Sequence, residues 1–238
     1  MAIAAVFLDL YQTLAYFHPP REQRMCLALQ EFGFDVDEAS LSRGYLAADH
    51  YYTLAGIESP LFAMPREERR RIYNRYQEVL LEAVGLPEAV PLAVPIYHRY
   101  WEMERKFCLF SDVEQALVDL SAGGYRLAVI TNVTEDPTAD LARVGIRDRF
   151  EGVIASCLVG CEKPDPHIFR AALETLGVEP HQVVHVGDQY EADVEGARAA
   201  GITSVLLDRH DLQEGRHPNR IRSLTELAPL LANGLIRD

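Results

Sequence analysis

The sequence lacks long hydrophobic runs, closely paired cysteines and an excess of positive charge, and each absence excludes a class of protein. No apolar run in the 238 residues approaches the roughly 20 residues that a membrane-spanning helix needs. The apolar start, Met1 to Leu8, has no basic leader and is interrupted by Asp9, so it does not resemble a secretion signal. These features predict a cytoplasmic protein that does not associate with membranes.

The charge and the cysteines narrow the possible partners further. The formal net charge is −13, which repels nucleic-acid backbones and anionic membranes, so neither is an expected partner. The four cysteines form no Cys-x-x-Cys pair, and we expect reduced, structural thiols. One basic segment is mixed with glutamates and is interpreted as a solvated helix face, with a phosphate or partner site as the alternative. Its arginines are Arg66, Arg69, Arg70 and Arg71.

Apolar runs typical of strands buried on both faces occur at the start of the chain and again in its second half. Helical patterns separate the later runs, and such an alternation predicts a parallel sheet with right-handed crossovers. The predicted fold class is therefore α/β, with a Rossmann-like parallel sheet covered by helices on both faces. The runs are residues 2–8, 127–130, 152–155, 183–186 and 203–207.

The segment between the first strand and the rest of the sheet has a different pattern. It has no buried-strand run, and prolines and glycines divide it into helical stretches. We therefore predict a core domain of residues 1–15 and 109–238, and an inserted helical cap domain of residues 16–108. The many aromatic residues of the insert indicate helix packing, with an aromatic substrate pocket as the alternative. The helical patterns are residues 21–32, 38–55, 65–84 and 91–105.

Polar residues follow the predicted strands or stand in the adjoining loops. Asp9 follows the first strand, Thr131 follows the second, and Asp188 follows residues 183–186, with Asp193 five positions later. Lys163 stands shortly before a predicted helix. Because ligands of open parallel sheets bind beyond the carboxyl ends of the strands, we expect these groups to converge on one pocket.

In this order and spacing, the residues resemble the four motifs of the haloacid dehalogenase-like superfamily. Asp9–Thr13 is similar to the first motif, Thr131 to the second, Lys163 to the third, and Asp188 with Asp193 to the fourth. The resemblance covers the predicted core, and the insert stands where the family carries its first-position cap. It implies a hydrolase in which the carboxylate of Asp9 forms a covalent intermediate with a small-molecule substrate.

The resemblance also implies a role for each matched residue. Mg²⁺ is the implied cofactor, since it prefers oxygen ligands. Lys163 would supply positive charge beside the nucleophile. The implied catalytic residues are Asp9, Thr131 and Lys163, the substrate-binding residues are Tyr11, Thr13 and Asn132, the metal ligands are Asp9, the backbone carbonyl of Tyr11 and Asp188, and Asp193 is a supporting residue.

Two residues of the first motif depart from the phosphatase pattern. Tyr11 replaces the second aspartate, which protonates the leaving group, and Gln12 replaces the glycine that follows it. Losing a general acid should cost roughly 10²- to 10⁴-fold in rate for a poor leaving group. A tyrosine with an ordinary pKa of about 10 is a poor substitute at neutral pH. The different residue at position 12 also predicts a change in the local backbone.

Three functions are compatible with these departures. The favoured one is a Mg²⁺-dependent phosphatase for a small phosphorylated metabolite, because Asp188 and Asp193 are suited to a metal. The second is a 2-haloacid dehalogenase, which has Tyr at the position of Tyr11 and needs no metal; its cap arginine would loosely match Arg43. The third is a regulatory or binding member with little activity. The histidines of the second half of the chain show no metal-ligand spacing and are interpreted as solvent or packing residues. They are His167, His181, His185, His210 and His217. The oligomeric state is not predicted.

Overall fold

The structure, a computed structural model, describes residues 3–58, 60–234 and 236. The chain divides into two compact units. We refer to Met1–Tyr16 with Cys108–Asp238 as the core unit and to Phe17–Phe107 as the helical unit. Within the described ranges, no helix combines the length and the apolar character that crossing a bilayer requires.

The core unit is built on a six-stranded sheet in which every neighbouring pair is parallel, in the order β5-β4-β1-β6-β7-β8. The five apolar runs all form strands of this sheet, so the predicted α/β fold class is confirmed. The strands are β1 (Ala5–Leu8), β4 (Arg126–Thr131), β5 (Gly152–Ala155), β6 (Val183–Gly187), β7 (Thr203–Leu207) and β8 (Arg220–Ile221).

Both faces of the sheet are covered, which explains why its strands are continuously apolar. Successive residues of a strand point to opposite faces, yet all four residues of β1 are fully buried. Ala5 and Phe7 pack in a cluster with Ile168 and Phe169, which belong to a helix that follows β5 in the chain. Val6 and Leu8 alternate with these residues along β1 and point to the opposite face of the sheet. They are equally buried, so the other layer of helices covers that face.

The helices of the core unit lie largely where the sequence predicts them. Between β6 and β7 the helical pattern of residues 191–200 forms a π-helical turn, Tyr190–Glu195, followed by a short α-helix. The α-helices are α5 (Val113–Ala122), α6 (Thr138–Arg143), α7 (Ser156–Val159), α8 (Pro166–Leu176), α9 (Gly196–Ala199) and α10 (Leu227–Ala232).

Three short strands lie where the sequence predicts none. β2 (Ala15–His18) and β3 (Lys106–Leu109) pair as a separate two-stranded sheet at the ends of the segment that forms the helical unit. β8 contains only two residues and follows a polar loop. Each strand is too short, or too polar, to produce the apolar run on which the prediction of strands depends.

The described residues of the helical unit form four α-helices and two 3₁₀ turns. Its core contains Met25, Leu41, Leu80 and Ile96, one from each helix. Helices α2 and α3 approach closely at Gly44, where a Cβ atom would lie 2.5 Å from Cγ1 of Val84. The helices are α1 (Arg21–Glu31), α2 (Glu38–Glu58), α3 (Arg66–Ala83) and α4 (Ala93–Glu102), and the 3₁₀ turns are Leu61–Ala63 and Pro87–Leu92.

Candidate active site

The carboxyl ends of β1, β4 and β6 lie at the same edge of the sheet. Leu8, the last residue of β1, is in register with Val129 of β4 on one side and with Val186 of β6 on the other. The N–H of Asp9 continues the ladder and donates to the carbonyl oxygen of Val186 at 2.9 Å. Polar residues that follow these three strands therefore meet at one edge of the core unit.

One lysine joins two carboxylates at this edge. Lys163 Nζ donates to Oδ1 of Asp9 and to Oδ1 of Asp193, each at 2.6 Å. The side chains are 3% exposed for Lys163, 9% for Asp9 and 2% for Asp193. Such short distances are typical of charge-assisted hydrogen bonds. We call these three residues the lysine cluster; with both carboxylates ionised it carries one net negative charge.

Burial and mutual attraction set the pKa values within the lysine cluster. Burial raises the pKa of Asp9 most, Lys163 lowers it and Asp193 raises it again, with the result that the pKa is about 6. Burial also raises the pKa of Asp193, but Lys163 and His185 outweigh burial and hold this pKa well below its ordinary value. Burial lowers the pKa of Lys163, but the two carboxylates outweigh it and raise this pKa. Asp9 is therefore the member that gains a proton first as the pH falls.

The backbone of Lys163 is fixed by a side chain at the end of β4. Asn132 Nδ2 donates to the carbonyl oxygen of Lys163 at 2.8 Å, and the N–H of Lys163 donates to Asn132 Oδ1 at 2.7 Å. Next to it, Ser156 Oγ accepts from the N–H of Val133 and donates to the carbonyl oxygen of Val133, both at 2.9 Å. These bonds tie the loop that carries Lys163 to the sheet edge that carries Asp9.

Asp193 is placed by the π-helical turn after β6. Such wide turns are rare and are found frequently at functional sites. The N–H of Gln189 donates to Asp193 Oδ2 at 3.0 Å, so the second carboxylate oxygen is also held. A Cβ atom on Gly187 would lie 2.1 Å from Cγ of Asp193. Glycine is therefore required at the end of β6 for the carboxylate to approach Lys163.

A histidine inside β6 completes this arrangement. His185 is fully buried, its Nε2 lies 2.9 Å from Asp193 Oδ1, and its ring meets the ring of Phe169 edge to face with centroids 5.1 Å apart. An ionised carboxylate only accepts hydrogen bonds, so Nε2 carries the proton. Burial is the main cause that lowers the pKa of His185, which favours its neutral form.

The interpretation of His185 as a solvent or packing residue misses its bond to the site. The sequence does contain a signal for it, because the ring interrupts the apolar run 183–186. A buried polar group of this kind needs a hydrogen-bond partner. Among the described residues, the Nδ1 atom of His185 is buried without a hydrogen-bond partner. The bond from Nε2 to Asp193 is therefore the one that satisfies the ring.

The loop after Asp9 turns sharply at Gln12. Gln12 has a φ of 65°, in the left-handed region that favours glycine, and its N–H donates to the carbonyl oxygen of Ala15 at 2.8 Å. A residue distant in the sequence holds this loop in place. Arg209 donates to the carbonyl oxygen of Thr13 at 2.7 Å and to the carboxylate of Asp112 at 2.8 Å. That the backbone at position 12 differs from that of the family stays a prediction.

Tyr11 is unsuited to donate a proton at neutral pH. The side chain is half-buried, and burial is the main cause that raises its pKa to about 12. The negative charges of Asp140, Asp9 and Glu135 act in the same direction. The phenol is therefore a weaker acid in this site than in water, where its ordinary pKa is about 10.

Three carboxylates at the site have the geometry to hold a metal ion. Oxygen atoms of Asp9, Asp188 and Asp193 all lie within 4.8 Å of one another. Carboxylate oxygens are the ligands that Mg²⁺ prefers, so the donor set fits a hard divalent cation. The group contains the predicted ligands Asp9 and Asp188 and adds Asp193; metal ligation by these residues and by the Tyr11 carbonyl stays a prediction.

The remaining predicted residues lie near this edge but outside the lysine cluster. Thr131 is the last residue of β4 and is 1% exposed; in the described part of the chain its side chain makes no hydrogen bond to the cluster. Thr13 is fully buried, and its Oγ1 has no partner among the described residues. Substrate binding by Thr13, Tyr11 and Asn132 stays a prediction, and so does catalysis by Asp9, Thr131 and Lys163.

Comparisons with known proteins identify the family. The family model described as haloacid dehalogenase-like hydrolase matches residues 3–201 of this chain. The match extends over most of the sequence, and it includes both the strand that carries Asp9 and the turn that carries Asp193. The chain belongs to the haloacid dehalogenase-like hydrolases.

Relatives within the family include named phosphatases. A phosphoserine phosphatase of Thermus thermophilus is 35% identical over 159 residues, which cover 66% of this chain and 61% of the relative. A ribulose-1,5-bisphosphate 5-phosphatase of Halopiger xanaduensis is 30% identical, with 86% of this chain and 84% of the relative covered. Among solved structures, a 2-haloacid dehalogenase from Pseudomonas syringae is 25% identical, with a TM-score of 0.56 and coverage of 98% and 99%.

We predict that Gln12→Gly stabilises the protein. A non-glycine residue in the left-handed region costs about 1–2 kcal/mol, whereas the additional chain entropy of glycine costs about 0.5–1 kcal/mol. The free energy of unfolding, measured by urea denaturation, should therefore rise by up to about 1 kcal/mol. The exposed helical residue Gln23 provides the control, because Gln23→Gly should lower the same quantity. Equal destabilisation by both variants would contradict the strain at Gln12.

Proposed function

We propose that this protein is a Mg²⁺-dependent phosphatase for small phosphorylated metabolites, with Asp9 as the nucleophile. The observation that carries the proposal is the buried contact of Asp9 with Lys163, beside the carboxylates of Asp188 and Asp193. A buried nucleophile with an adjacent ammonium group and an oxygen-rich cation site suits a substrate that brings several negative charges. Relatives named as phosphatases support this choice of reaction.

The covalent chemistry of the proposal uses one oxygen of Asp9. Lys163 holds Oδ1, so Oδ2 attacks phosphorus while the bond from phosphorus to the leaving oxygen breaks and that oxygen takes the electron pair. Water then attacks the phosphorus of the aspartyl-phosphate, the bond to Asp9 breaks, and inorganic phosphate leaves with the carboxylate regenerated. Lys163 remains positively charged through both steps because its pKa is raised.

Asp9 and Asp188 would hold the metal, with either Asp193 or the Tyr11 carbonyl as a further ligand. When bound, Mg²⁺ supplies positive charge that offsets the phosphoryl oxygens. Asp193 is already engaged by Lys163, His185 and Gln189. We therefore propose that Asp193 mainly orients Lys163, as expected for a supporting residue.

The leaving group of the preferred substrate should not require a proton. Tyr11 stands where phosphatases of this family carry the acid, and its pKa of about 12 makes it a weaker donor than an ordinary tyrosine. Acyl phosphates leave as carboxylates and need no such help. We therefore propose a preference for an acyl phosphate, or for another phosphorylated metabolite with a stable leaving anion, over simple alkyl phosphates.

The domain assignment and the cellular setting are part of the same proposal. Residues 1–15 and 109–238 would form the hydrolase core domain, and residues 16–108 would form a cap that selects the substrate. Within the described residues, the helices of Phe17–Phe107 form a compact unit with its own apolar core, which supports this division. The four cysteines are free thiols, which supports the cytoplasm as the location.

A 2-haloacid dehalogenase is the second candidate, and Tyr11 is the observation that favours it. That reaction would form an ester on Asp9 and release halide, which needs no proton and no metal. The acidic group of Asp9, Asp188 and Asp193 weakens this reading, because its net charge disfavours a carboxylate substrate in the absence of a cation. A regulatory member with little activity is the third candidate.

A hydrolysis screen with and without Mg²⁺ tests the proposal. The purified protein should release phosphate from acetyl phosphate and p-nitrophenyl phosphate only when Mg²⁺ is present, and Asp9→Asn should abolish this release. 2-Chloropropionate is tested in parallel. Chloride release without added metal would contradict the phosphatase and establish the dehalogenase. A folded, inactive protein on all substrates would favour the regulatory candidate.

We predict that Tyr11→Asp restores the general acid. The variant should raise kcat/KM for alkyl phosphate monoesters by roughly 10²-fold, within the range that general acids contribute. Acetyl phosphate provides the internal control, because its leaving group needs no proton and its kcat/KM should change little. The two substrates are compared in the same Mg²⁺ buffer by phosphate release. An equal change for both would show that Tyr11 affects binding or folding and not proton transfer.

A further inference from the structure

The helical unit contains a groove that the proposed reaction does not use. It has a volume of about 650 Å³ and lies between one face of α3 and one face of α4. The lining residues of each helix are spaced three and four apart, so they form two stripes that face each other. The residues that matter here are Arg66, Arg69, Arg70 and Tyr73 of α3, and Tyr97 and Trp101 of α4.

The α3 side of the groove carries three arginines, Arg66, Arg69 and Arg70. Arg70 pairs with Glu67 at 2.9 Å, but both side chains are largely exposed, and such pairs stabilise little. In the described part of the chain, Arg66 and Arg69 have no carboxylate within ion-pair distance. Like charges on one helical face repel one another, and Arg66 lies in the first turn, where the helix dipole disfavours a cation. An anion would relieve both effects.

The α4 side of the groove presents aromatic rings. Trp101 remains 44% exposed, and its ring meets that of Tyr97 edge to face with centroids 5.7 Å apart. Tyr73 closes the groove from α3 and is itself stacked on Tyr52 at 5.7 Å. The guanidinium of Arg105 lies over the Trp101 ring, 4.1 Å from its centroid, so a planar ligand ring would contact the part of the indole that stays exposed.

We propose that this groove binds a small anion that carries a planar ring, of the nucleoside monophosphate class. Arg66 and Arg69 would bind the phosphate by charge-assisted hydrogen bonds, and Tyr97 and Trp101 would contact the planar ring. The volume of about 650 Å³ lies within the range of roughly 300–1,000 Å³ that is usual for small-molecule sites. The formal net charge of the whole chain is −13, so the attraction for an anion must come locally from the arginines of the groove.

The only tryptophan of the chain lies in the groove, so its fluorescence reports occupancy. AMP is titrated into the full-length chain carrying Asp9→Asn, which prevents hydrolysis at the core unit, and calorimetry checks the stoichiometry. We expect a saturable change in Trp101 emission with AMP, and at least roughly tenfold weaker binding of inorganic phosphate or of adenosine alone, since each lacks one half of the contacts.

Two variants make the test specific. Arg66→Gln with Arg69→Gln should weaken AMP binding by roughly tenfold or more, whereas Arg71→Gln, on the same helix but outside the groove lining, should change it less than about twofold. Undiminished binding in the double variant would overturn the proposal. So would phosphate binding as tightly as AMP, or the absence of any response at millimolar AMP. Self-association that the double variant abolishes would assign the groove to a second copy of the chain instead.

Discussion

The ammonium group of Lys163 is the contact on which the candidate site depends. Without it, two carboxylates would lie buried at one edge of the sheet with no internal counter-charge, and isolated buried charges are strongly unfavourable. The position of Lys163 is secured on both sides: Asn132 holds its backbone, and Asp193 is held in turn by His185 and by the N–H of Gln189. Residues at the end of β4, in β6 and in the π-helical turn thus act together to hold one ammonium group against the carboxylate of Asp9.

The two aspartates that contact Lys163 differ in their pKa values. Asp193 bonds Lys163, His185 and Gln189, and its pKa is held low, so it serves as a fixed negative charge. Asp9 has fewer stabilising contacts, and burial raises its pKa to about 6, so its carboxylate is ionised at neutral pH yet less stabilised than its neighbour. A less stabilised carboxylate is the better nucleophile. Burial also raises the pKa of Tyr11, and this makes the phenol a weaker acid.

Much of the fold and of the site could be predicted because their signals are local. The buried strands β1, β4, β5, β6 and β7 appear as apolar runs, and the rule that ligands bind at the carboxyl ends of parallel strands brings Asp9, Lys163 and Asp188 together. Other features depend on contacts between distant residues. The bond of His185 to Asp193, the brace from Arg209 to Thr13 and the left-handed turn at Gln12 arise only when the strands and loops are packed. The groove beside Trp101 likewise requires the mutual rotation of α3 and α4, which periodicity does not specify.

A double-mutant cycle between Lys163 and Asp9 tests most directly whether this contact organises the site. The free energy of unfolding is measured in metal-free buffer for the wild type, Asp9→Asn, Lys163→Met and the double variant, with Lys106→Met as the control for the loss of an exposed lysine. We predict a favourable coupling of about 2 kcal/mol or more, since Lys163→Met alone removes the counter-charge of Asp9, which must then stay buried as an uncompensated charge or take up a proton. A coupling within about 0.5 kcal/mol of zero would contradict the central place given to Lys163.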